Sequence, residues 1–67
     1  MNTYLGQIEN GKHKVMVYAN DNGYVLTFHS NGNQSSYCEL LDDDHIIREL
    51  KHLGYLQSFI DVVLSMI

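Results

Sequence analysis

The rhythm of hydrophobic and polar residues changes once along this chain. As far as Leu41 the two kinds alternate in short runs, and from Asp42 onward apolar residues recur every three or four positions. Alternation marks a strand with two distinct faces, whereas the wider spacing marks an amphipathic helix. Four strands are predicted: Thr3–Ile8, His13–Ala19, Tyr24–Ser30 and Ser35–Leu41. The breaks between them are turn-forming: Glu9-Asn10-Gly11-Lys12, Asn20-Asp21-Asn22-Gly23, and a longer turn from Asn31-Gly32 through Gln34. Asn-Gly is the strongest short hairpin signal, because both residues tolerate the positive φ of a type I′ turn. Loops this short join antiparallel neighbours, so the first part of the chain reads as a four-stranded meander.

The helical part opens on Asp42-Asp43-Asp44-His45. An aspartate at a helix start accepts from the free N–H groups of the first turn, and negative charge there suits the helix dipole. Ile46, Ile47, Leu50 and Leu53 follow at helical spacing, with Lys51 and His52 where a helix ends and Gly54 at the left-handed C-terminal position. A second helix, Tyr55–Ile67, carries Leu56, Phe59, Ile60, Val63, Leu64 and Ile67. The expectation is two helices, or one helix bent at Gly54, packed on one sheet face. The fold is then α+β, in a single domain spanning residues 1–67.

Which sheet face the helices cover is open from the pattern alone. Val15 and Val17 alternate with Met16 and Tyr18, and Val25 alternates with Tyr24, Leu26 and Phe28, so both faces carry apolar residues. Tyrosine and methionine are enriched at protein interfaces, which makes Met16, Tyr18 and Tyr24 candidates for partner binding. The exposed acidic corner Asp42, Asp43 and Asp44 would steer a basic partner toward them. An alternative contact is a homodimer built on the C-terminal helix stripe Phe59, Val63 and Ile67. A chain of 67 residues supports association, since a core this small yields only about 3–5 kcal/mol by itself.

Composition narrows the chemistry. One cysteine, Cys38, cannot close an internal disulfide. The N-terminal residues lack the basic and apolar runs of a signal peptide, and Leu53–Ile67 is too interrupted for a membrane span, so a cytoplasmic location is expected. Four Lys and Arg against eight Asp and Glu give a net charge of −4, which disfavours contact with a phosphate backbone. A weak stacking platform of Tyr18, Tyr24 and Phe28 beside Lys12 and Lys14 is the third-ranked reading, a nucleic-acid binder. His45 and His52 stand seven positions apart, roughly 10 Å along a helix axis, too far to grip one ion together. Asp42–Asp44 lack the alternation of a calcium loop. No metal or other cofactor is expected, nor an enzyme, because no nucleophile–base pair or paired catalytic carboxylates can be named.

Gly23-Tyr24-Val25-Leu26-Thr27-Phe28 resembles the second strand of HicB-type antitoxins, small intracellular proteins that bind and silence a toxin. The resemblance covers six residues and lacks the proline-containing stretch that follows in that family, so no functional residue is carried across. The expected function is non-enzymatic protein binding. The chain would act as a small adaptor or inhibitor, of phage or mobile-element type, that occupies a larger protein sterically.

Overall fold

Four strands of eight residues each, β1 (Thr3–Asn10), β2 (His13–Asn20), β3 (Gly23–Ser30) and β4 (Asn33–Leu40), form one antiparallel sheet in the order β1-β2-β3-β4. Two helices follow, α1 (Asp43–His52) and α2 (Gln57–Ser65). This computed structural model describes residues 1–67. The α+β meander expected from the sequence is the architecture found.

The strands are longer than their apolar runs because every turn is reduced to two residues: Gly11-Lys12, Asp21-Asn22 and Asn31-Gly32. Asn31 and Gly32, at φ 54° and 83°, both adopt the positive φ of a type I′ turn. At the first turn only Gly11 does so, which is the type II′ pattern rather than the type I′ expected there. At the third turn pairing resumes at once, so β4 begins at Asn33 instead of Ser35. A bulge between the Phe28 and His29 pairings then corrects the register. The middle turn is fixed by Asn20, whose Oδ1 accepts from the Asn22 N–H at 2.9 Å.

Register decides the faces. Ile8, Val15, Phe28 and Ser36 stand opposite one another across the four strands, as do Val17, Leu26 and Cys38, and Tyr24 stands opposite Leu40. Directly opposed residues share a face. The helices cover this face, sealing Val15, Val17, Leu26 and Leu40 against Ile46, Leu50, Ile60 and Val63. The other face is open and carries Gln7, Met16, Thr27 and Tyr37 in one row and Tyr4, Tyr18, Val25 and Glu39 in the next.

Glycine breaks the helical segment as the sequence implies. Gly54, at φ 91°, sits one residue beyond the C-cap Leu53. Its N–H donates to the Lys51 carbonyl and that of Tyr55 to the Leu50 carbonyl, both at 3.0 Å, which is the paired closure of a Schellman motif. The second helix starts at Gln57, two residues later than expected, because Tyr55 leaves the helical path to pack on the core.

At the start of α1 the Asp42 carboxylate accepts from the His45 N–H at 2.9 Å, and His45 Nδ1 accepts in turn from the Leu41 N–H at 3.1 Å. Asp42→Ala removes this cap and should lower stability by about 0.5–2 kcal/mol, read from urea unfolding followed by far-UV circular dichroism. Asp43→Ala, which loses only a favourable charge in the first turn, should cost less, about 0.3–1 kcal/mol.

Candidate functional site

The residues singled out in the sequence do not come together. Met16 and Tyr18 lie on the open sheet face, whereas Tyr24 lies on the covered face and packs against the core. All three share the same parity in sequence, but Tyr24 pairs with Ala19, so cross-strand register turns it to the face opposite Met16 and Tyr18. Asp42 is engaged as a helix cap, and Asp43 and Asp44 are exposed in the same turn. In the alternative stripe, Val63 is sealed in the core, Phe59 is half-buried in a ring stack, and Ile67 is exposed. A homodimer built on Val63 would need the core to open.

Several polar groups of the open sheet face bond to one another. Tyr4 Oη donates to Gln7 Oε1 at 3.0 Å, and Gln7 Nε2 donates to Glu9 Oε1 at 2.7 Å. Thr27 Oγ1 and His29 Nε2 lie 2.8 Å apart, and the Tyr4 and Tyr18 rings meet edge to face at 5.7 Å. This part of the face is stitched side chain to side chain.

The elbow between the helices is different. Between it and the sheet end carrying the β1–β2 and β3–β4 turns lies an open cleft of about 1020 Å³. Its floor is a column of rings: Phe28 of β3, Tyr55 of the elbow at 5.9 Å, and Phe59 of α2 at a further 4.4 Å, with interplanar angles of 26° and 21°. Stacked rings at these distances add about 0.5–1.5 kcal/mol per pair beyond the area they bury. Leu53, Leu56 and Val62 line the cleft and remain 50%, 74% and 45% exposed. Leu56 occupies the N-cap of α2, where no side chain caps the helix and the first turn holds no acidic residue. A serine or aspartate there would satisfy an unpaired N–H, so leucine is the wrong choice for stability alone.

Two groups beneath the helices, the Cys38 thiol and the Tyr55 phenol, are held toward their protonated forms. Burial, and then the Glu49 carboxylate, push the Cys38 thiol up from its ordinary value, with the Leu26 backbone N–H acting in the opposite direction. Burial, then Cys38, likewise pushes the Tyr55 phenol up. A thiol held in this way is a poor nucleophile. No three His, Cys, Asp or Glu side chains converge on a common point, and no helix is long and apolar enough to cross a membrane.

Sequence reasoning missed the cleft because the ring column joins β3 to the elbow across the fold. A local signal was nonetheless present in Leu56, an apolar residue two places after the helix-breaking Gly54, where a capping residue belongs. Set against known protein families, characterised proteins and solved structures, the chain matches none.

Proposed function

We propose that this chain is a non-enzymatic protein-binding module, an adaptor or inhibitor that seats an amphipathic segment of a larger protein in the elbow cleft. The observation that carries this reading is Leu56, standing uncapped and exposed at the start of α2 beside Leu53 and Val62. Residues that break a local stability rule with no structural return concentrate at functional sites. The aromatic floor and aliphatic rim favour an apolar ridge on the partner, such as Leu, Met or Phe side chains along one helix face. His13, which shares the covered face with Val15 at the sheet end of the cleft, gives that ridge an orientation by favouring a hydrogen-bond acceptor there.

Leu56→Asp separates binding from stability. The new carboxylate caps α2 and should raise stability by about 0.5–2 kcal/mol, while placing a charge in the cleft should abolish capture of the partner. The measurement is quantitative mass spectrometry of proteins retained by the wild type, by Leu56→Asp and by Tyr18→Asp. A stoichiometric partner lost only with Leu56→Asp supports the reading. One lost only with Tyr18→Asp moves the site to the open sheet face, and retention of nothing by the wild type removes the binding role.

A further inference from the structure

We infer that the chain forms a two-fold dimer in which β4 of a second copy adds antiparallel to its own β4, with the axis at Cys38. This goes beyond partner binding at the elbow and does not depend on it. An open sheet has two edges, and natural edges are guarded by lysine, proline, bulges or a covering element. β1 has its register shift at Leu5, between Tyr4 and Gly6, and its regular stretch beyond opens on Gly6, which weakens a strand. β4 has its bulge at the hairpin end and runs in regular register from Ser36 to Leu40. It contains no lysine, arginine or proline, and every residue from Asn33 to Tyr37 is exposed.

The direction of its free backbone groups follows from the turns. A two-residue hairpin makes Ser30 and Asn33 a hydrogen-bonded pair, and such pairs alternate with non-bonded ones along an antiparallel ladder. The same alternation, carried from the β2–β3 hairpin, turns the N–H and C=O of Tyr24 and Leu26 toward Leu40 and Cys38. The N–H and C=O groups of Tyr37 and Glu39 therefore point outward, along an edge that nothing in the chain pairs.

A second copy of β4 fits this edge in one register best. With the axis at Cys38, Tyr37 faces Glu39 of the copy and Glu39 faces its Tyr37. Each of these residues then gives one N–H and receives one through its carbonyl. The only charge of the strand thus meets a tyrosine. An axis at Glu39 would set that carboxylate against itself, and an axis at Tyr37 would leave Glu39 opposite the bulge at Ser35. In the chosen register Leu41, 72% exposed in the single chain, approaches the hairpin end of the other copy's β4. The two sheets become one, twice as wide.

The test uses the whole chain, by sedimentation equilibrium and amide hydrogen exchange from micromolar to millimolar concentration. The expected result is a dimer whose Tyr37 and Glu39 amides slow by at least about tenfold as it forms, while the outward Gln7 amide of β1 keeps its rate. Tyr37→Pro removes an outward donor and leaves the β3–β4 ladder intact, so it should give a folded monomer, whereas Gln7→Pro should still dimerise. Should Tyr37→Pro fail to fold, the exchange rates of the wild type decide. A wild type that stays monomeric to millimolar concentration overturns the inference. So does a dimer whose Tyr37 and Glu39 amides exchange at the monomer rate.

Discussion

Leu26→Ala should leave most molecules unfolded, or close to it, at room temperature. Leu26 is fully buried on the central strand β3, between Val17 of β2 and Cys38 of β4. The cavity left by a buried leucine costs about 2–5 kcal/mol, depending on how far the surroundings close over it. Eight residues make up the entire buried core, so few neighbours are available to close in. The loss rivals the whole stability expected of a domain this size, about 3–5 kcal/mol. Urea titration followed by circular dichroism gives the value. Leu26→Met, which nearly conserves volume, should stay within about 1.5 kcal/mol of the wild type. Equal losses from the two substitutions would refute a packing origin.

The second large effect is expected at Gly23, the first residue of β3. Its φ of 148° lies where side-chain-bearing residues rarely go, and a Cβ built there collides with the Leu40 carbonyl oxygen and crowds the Leu41 backbone. Backbone strain of this kind costs about 1–3 kcal/mol, and the steric conflict adds to it because its target is main chain, which cannot swing aside. At about 4–8 °C per kcal/mol for a domain this small, Gly23→Ala should lower Tm by more than ~10 °C. Gly32→Ala is the control: its φ is also positive, but a Cβ there meets nothing within 4 Å. Its loss should be confined to the conformational cost, about 1–2 kcal/mol. Calorimetry of the two variants compares them directly.

What could be read in the sequence were the features written locally. Asn-Gly pairs announced the hairpins, Gly54 after Lys51 and His52 announced the end of α1, and Asp42 announced its start. Features written by distant contacts stayed hidden. Residues Val15 and Met16 are equally apolar to a pattern, and only the register with Leu26 and the helices above it makes one core and the other surface. Tyr55 reads as the first residue of a helix until Phe28, far away in the chain, draws it onto the sheet. The cleft was illegible for the same reason, since its floor is shared between β3 and the elbow. Tyr24 carries the same residue-type signal as Tyr18, and only its pairing with Ala19 puts it on the covered face.

The two-residue turns also bear on how quickly the chain finds its fold. No pair in the ladder lies farther apart in sequence than His13 and Ser30, so each hairpin closes without a long loop to tie down. Chains dominated by such near-neighbour contacts cross their folding barrier fast. The distant closures are those of the helices, of which the approach of Met66 to Gly6 spans nearly the whole chain. The sheet is thus free to assemble hairpin by hairpin, and the docking of α2 falls late. Truncating Ile60 would then quicken unfolding while leaving the folding rate nearly unchanged.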